Sequence, residues 1–129
     1  MNETRSESPH KGRSGLDRIW RALGYSIEGL TAALRYEDAF RQELILAVIL
    51  IPVAWFCHVS SVAKALMIAS VMLVLIVELL NSAIEAVVDR VSLEDHQLSK
   101  RAKDMGSAAT FLALMNVVVV WSIALFNTH

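Results

Sequence analysis

One periodic stretch and three long apolar runs organise this chain. From Ser14 onward, Leu16, Ile19, Trp20, Leu23, Ile27, Leu30 and Leu34 recur at steps of three and four, with Arg18, Arg21 and Glu28 among them. That period predicts a helix with one apolar face. A Trp and two arginines on such a helix fit a segment lying in a membrane interface. Ser14 and Asp17 supply an N-terminal cap and an acid in the first turn. Leu44 to about Val59 is apolar apart from His58, and Pro52 should kink it. About Val62 to Leu80 is the second run. Ser107 to Phe126 is the third, with Asn116 its only strongly polar member. Runs of about 20 apolar residues can cross the hydrocarbon layer, and the short turn His58-Val59-Ser60-Ser61 makes the first two antiparallel neighbours. The expected architecture is an all-α membrane protein: a surface helix and three spanning helices. Residues 1–13, MNETRSESPHKGR, read as a disordered polar tail, and residues 14–129 as one membrane domain.

Composition narrows the class. Of the 129 residues, 55% are hydrophobic, above the level of ordinary soluble domains. The net charge of -1 gives no electrostatic reason to expect a nucleic-acid partner. The single Cys57 cannot form an intrachain disulfide. The first apolar run begins too late to be a cleavable signal peptide. Arg5, Lys11, Arg13, Arg18 and Arg21 precede the first span, and Arg90, Lys100, Arg101 and Lys103 lie between the second and third. The positive-inside rule then places the N-terminus and the loop around 90–104 in the cytoplasm, as expected of a multi-pass membrane protein.

Within the second run one carboxylate interrupts the pattern. Glu78 ends the stretch ALMIASVMLVLIVELL, and Asn81, Ser82, Glu85 and Asp89 follow. A charge at bilayer depth costs several kcal/mol and usually marks function. On a helix, Glu78, Glu85 and Asp89 fall within roughly 40° of one another, with Ser82 beside them and Asn81 about 60° to the other side. An Asn or a Ser there would serve as interhelical glue. Three acids on one arc repel unless a cation or proton joins them. Carboxylates open to the cytoplasm suit Mg²⁺ held together with substrate phosphates. The segment Ser99-Lys100-Arg101-Ala102-Lys103-Asp104-Met105-Gly106-Ser107 could face them and hold those phosphates, although membrane anchoring alone would explain its charges. The charged patch from Glu37 to Glu43 reads as a solvated junction. Phosphate-binding Gly-rich loops and soluble-kinase motifs are missing, so nucleotide chemistry here would not use a standard nucleotide fold.

The motif Glu78-Leu79-Leu80-Asn81-Ser82-Ala83-Ile84-Glu85-Ala86-Val87-Val88-Asp89, followed by Lys103-Asp104-Met105-Gly106-Ser107-Ala108-Ala109, resembles that of the prokaryotic diacylglycerol kinases. Ala32-Ala33, Glu37 and Ala39-Phe40-Arg41-Gln42-Glu43 also look like that family's pattern, and the resemblance covers roughly residues 16–127. It implies a homotrimer with composite active sites at the membrane–cytoplasm boundary, ATP as phosphoryl donor and Mg²⁺ as cofactor. Carried over, Glu78 matches the catalytic base, and Glu37 and Glu85 the metal-binding carboxylates. Arg18, Tyr25, Glu94, Asp95, His96, Lys103 and Asp104, with Glu37 and Glu85, match positions around the nucleotide. Arg18, Glu78, Asn81 and Ser107 match positions around the lipid. Glu28 and Asp38 depart from the commoner Lys and Ala.

The residues and the resemblance converge on transfer of the γ-phosphoryl of Mg-ATP to diacylglycerol, giving phosphatidic acid. Desolvation strengthens Glu78 as a base for a hydroxyl whose acyl chains remain in the bilayer. An undecaprenol kinase of the same superfamily is the second reading, disfavoured by the Met-Gly-Ser-Ala-Ala run. A small cation or proton channel is the third, but a channel needs neither the basic cluster nor the interface helix.

Overall fold

The computed structural model describes residues 15–91 and 96–127. The tail at residues 1–13, the cap expected at Ser14, and Glu94 and Asp95 lie outside the described residues. Four helices follow in order: α1 (Gly15–Tyr36), α2 (Asp38–Phe56), α3 (Ser61–Val91) and α4 (Gln97–Phe126). Among the described residues there is no strand. The helices α2, α3 and α4 are each long and apolar enough to cross a membrane.

The α1 helix is the expected surface helix. Ala33 is its only buried residue, while Leu16, Ile19, Trp20, Leu23, Ile27 and Leu30 stand exposed along one face. Such a stripe, uncovered by protein, is what an interfacial helix presents to lipid. Its junction with α2 is an elbow of one residue. Glu37 leaves the helical conformation, and its amide still donates to the Ala33 carbonyl at 3.0 Å. Arg41 locks the elbow: Nη1 donates to the Leu34 and Arg35 carbonyls at 2.8 and 3.1 Å, and Nη2 pairs with Asp38. A guanidinium thus satisfies the last carbonyls of α1, where the helix dipole is negative. Asp38, one of the two departures from the family pattern, is the carboxylate that holds this guanidinium in place.

The three spans pack through positions repeating every seven residues: Phe40, Ala47 and Ala54 on α2, Met67, Val74 and Asn81 on α3, and Gly106 and Ala113 on α4. Small residues at such seams let helix backbones approach where lipid supplies no hydrophobic drive. At the far end from α1, Ser60 caps α3 by accepting from the Ala63 amide at 3.1 Å. Lys64 there lies 5.7 Å from the centre of the Trp55 ring, tying α3 to α2. Trp121 Nε1 on α4 donates to the Met67 carbonyl at 3.2 Å, a carbonyl that also accepts from Ser70 Oγ at 2.7 Å. Trp121→Phe removes that α3–α4 tie while keeping most of the ring volume. It is expected to lower stability by about 1 kcal/mol, read as a drop of a few degrees in the thermal inactivation midpoint. An unchanged midpoint would show that this bond carries none of the packing.

Two boundaries differ from the sequence expectation. The α2 helix starts six residues before Leu44, ends before Val59, and continues through Pro52. Proline costs one intrahelical donor, which helices in lipid tolerate. More consequentially, most of the expected loop at 90–104 is helical, because α4 begins at Gln97. His96 caps it by accepting the Leu98 amide on Nδ1 at 3.1 Å, and Lys100 pairs with Asp104 one turn later at 2.7 Å. A cap and an i,i+4 pair stabilise a polar first turn that apolar periodicity cannot reveal.

Candidate functional site

The α3 helix has 31 residues, about 46 Å at 1.5 Å per residue, well beyond the ~30 Å hydrocarbon layer. Measured from Ser61, Glu78 stands about 26 Å along it and Glu85 about 36 Å. Glu78 therefore lies near one edge of the apolar layer, and Glu85 and Asp89 extend into the interfacial zone. The expected acidic stripe is real and graded in burial. Glu78 is 4% exposed, Asn81 and Ser82 are each 8% exposed, Glu85 is half-buried and Asp89 exposed.

Glu78 is surrounded by partners from three helices. The Thr110 hydroxyl of α4 lies 3.3 Å from Glu78 Oε2 and 3.4 Å from the Gly106 carbonyl, and its single proton can serve only one of them fully. The Asn81 side chain lies within reach, and the Glu85 and Glu37 carboxylates act on Glu78 electrostatically. Glu43 of α2 faces Glu78 carboxyl to carboxyl, and its buried Oε2 has no hydrogen-bond partner. Two facing carboxylates repel in a low dielectric, and one shared proton removes the repulsion. The site thus sets two carboxyl groups against each other at the apolar edge, with the Thr110 hydroxyl beside them.

Sequence reasoning passed over Glu43 as part of a solvated junction. Its spacing from Phe40 and Ala47, three and four residues away on the buried face of α2, was the available signal. It also missed Thr110 and the contact between Gly106 and Asn81. A Cβ on Gly106 would collide with Asn81 Oδ1 and come within 3.2 Å of Asn81 Cγ. Asn81 Oδ1 and Ser82 Oγ are both buried without a partner.

The expected nucleotide residues are distributed unevenly. Lys103 of α4 pairs with Asp89 of α3 at 2.5 Å, bringing the basic cluster onto the acidic stripe. Asp104 instead turns toward Lys100. Ser107 is exposed, His96 serves as the α4 cap, and Arg18 and Tyr25 stand exposed on α1. Between α1 and α3 opens a cavity of about 740 Å³, lined by Glu37, Ser82 and small residues including Gly29, Ala33 and Ala86. That volume is in the range of small-molecule sites.

Among the described residues no three His, Cys, Asp or Glu side chains form a closed metal cage. Glu37 and Glu85 both act electrostatically on Glu78. Two carboxylates with open positions fit a Mg²⁺ that arrives with phosphates, since Mg²⁺ is commonly held by one or two protein carboxylates and substrate oxygens.

The family model for prokaryotic diacylglycerol kinase matches residues 24–125. The chain is 62% identical over 122 residues to a diacylglycerol kinase of Pseudomonas aeruginosa, covering 95% of this chain and 99% of that one. It is 51% identical over 114 residues to the diacylglycerol kinase of Escherichia coli K12, covering 88% and 93%. A diacylglycerol kinase of Helicobacter pylori 26695 is 41% identical over 115 residues, 89% of each chain. With three apolar spans, a surface helix and a buried carboxylate at the membrane edge, this membrane-spanning chain belongs to the prokaryotic diacylglycerol kinase family.

Proposed function

We propose that the protein phosphorylates diacylglycerol with ATP, giving phosphatidic acid, at the cytoplasmic face of the bacterial inner membrane. The observation that carries this reading is Glu78, 4% exposed at the apolar edge of α3, with Glu85 and Glu37 acting on it from the side where α3 leaves the bilayer. A lipid hydroxyl can reach Glu78 while its acyl chains stay in hydrocarbon. Phosphates can approach Lys103 from water.

In the reaction, the free hydroxyl of diacylglycerol attacks the γ-phosphorus in line. Its proton passes to Glu78, the bond to the β,γ-bridging oxygen breaks, and ADP leaves with that electron pair. Glu43 and Thr110 hold the Glu78 carboxyl in place, and Asn81 borders the same space. Lys103 neutralises charge on the phosphates. Glu37 and Glu85 would hold Mg²⁺, which when bound neutralises charge on the β- and γ-phosphates. Arg18, Tyr25, His96, Asp104 and Ser107 belong to this reading as nucleotide or lipid contacts that come together in the assembled, substrate-bound enzyme.

The protein acts as a homotrimer. Most residues of α2, α3 and α4 within their apolar stretches are not buried inside one chain, so most of each span is free to meet lipid or another copy. The orphan Asn81 and Ser82 oxygens of α3 are polar groups that such a site would use. The end of the bundle that carries Arg18, Arg21, Arg90, Lys100, Arg101 and Lys103 faces the cytoplasm, following the distribution of Arg and Lys.

Offering diacylglycerol and undecaprenol together in detergent micelles with labelled ATP tests the acceptor. Label is expected in phosphatidic acid, and exclusive labelling of undecaprenol would overturn the assignment. Glu37→Gln and Glu85→Gln are each expected to raise the half-saturating Mg²⁺ concentration severalfold. Wild-type Mg²⁺ dependence in both variants would remove these residues from the metal site.

A further inference from the structure

The Lys103–Asp89 pair has a role that phosphoryl transfer alone does not require. Lys103 Nζ lies 2.5 Å from Asp89 Oδ1, and the two side chains are 44% and 64% exposed. Pairs this exposed contribute little to stability, so fold maintenance does not explain the contact. Its placement does suggest a function. Asp89 is one helical turn beyond Glu85 on the same face of α3. The Lys103 ammonium is attracted first by Asp89 and also by Glu85. A lysine is a compact charge on a flexible four-carbon stem. If Asp89 lost its charge, Glu85 would be the next carboxylate for that ammonium.

We infer that Asp89 is a positioning residue: it holds Lys103 at the outer turn of α3, off Glu85, so that Glu85 stays open for the metal and Lys103 for the phosphates. This deepens the kinase reading and rests on it. An ammonium has three N–H donors. The bond to Asp89 uses one, leaving two for phosphate oxygens. Holding the stem in place beforehand also reduces the rotamer entropy lost when nucleotide binds.

The test is a double-mutant cycle on the full-length protein in detergent micelles. Binding of a non-hydrolysable ATP analogue is measured with the half-saturating Mg²⁺, alongside kcat and both KM values. Asp89→Asn should weaken analogue binding roughly five- to thirtyfold and raise the Mg²⁺ requirement, with the KM for diacylglycerol unchanged. Asp89→Glu should recover most of the loss. In a Lys103→Met background, Asp89→Asn should change analogue binding by less than about twofold, because the residue acts through Lys103. Wild-type binding in Asp89→Asn would overturn the inference. So would an equal loss in the Lys103→Met background, which would make Asp89 a direct ligand. If the wild type binds the analogue but forms no phosphatidic acid, the kinase reading fails, and the binding cycle still decides the role of Asp89.

Discussion

Glu78→Gln is expected to lower phosphatidic acid formation by about 10²- to 10⁴-fold while leaving the protein folded and able to bind nucleotide. Glutamine keeps the shape of the side chain and removes only its capacity to take a proton. The fold should tolerate the change. Glu78 faces Glu43 inside the bundle, and an amide can donate a hydrogen bond to that carboxylate where two carboxylates would repel. The Thr110 hydroxyl 3.3 Å away keeps an oxygen to donate to. The melting midpoint should therefore hold or rise. Analogue binding should also stay near normal, because Glu85, Glu37 and Lys103 remain intact. Near-normal turnover in the purified variant would show that another group accepts the hydroxyl proton.

Gly106→Ala is the second change with a large expected effect. Gly106 is buried on α4 directly against Asn81 of α3, and the added methyl collides with the Asn81 side-chain oxygen. Asn81 is itself 8% exposed, so its side chain must shift within the buried seam to make room. Overpacking of this kind costs about 1–3 kcal/mol. The greater loss should be in activity, because Asn81 sits one turn from Glu78 and a displacement of about 1 Å near reacting groups can cost 10²-fold. Asn81→Ala identifies the cause. In that background the collision is gone, so Gly106→Ala should then add almost no destabilisation. An equal penalty in both backgrounds would mean that the methyl strikes something other than Asn81.

Much of this arrangement could be read from residues alone, for identifiable reasons. Long apolar runs and a three-and-four period are direct consequences of solvent, so the surface helix and three spans were legible. So was the acidic stripe, because Glu78, Glu85 and Asp89 lie on one helix whose geometry sets their phase. Contacts between helices were not. Glu43 became part of the site only through the register of α2 against α3, which its local charged neighbours concealed. Thr110 and Gly106 were hidden in the same way on α4. The early start of α4 was missed because its first turns are polar, and a polar helix shows its cap and its charge pairs without an apolar rhythm. The departure at Asp38 proved structural, joining Arg41 at the elbow.

The proposed reaction moves a phosphoryl group from ATP to a lipid hydroxyl. Its decisive assay uses purified protein, diacylglycerol and ATP labelled at the γ-phosphate in mixed micelles, with the lipid products separated by thin-layer chromatography. Label is expected in phosphatidic acid, dependent on Mg²⁺ and lost in Glu78→Gln. Label found only in inorganic phosphate, or phosphatidic acid formed equally well by Glu78→Gln, would contradict it.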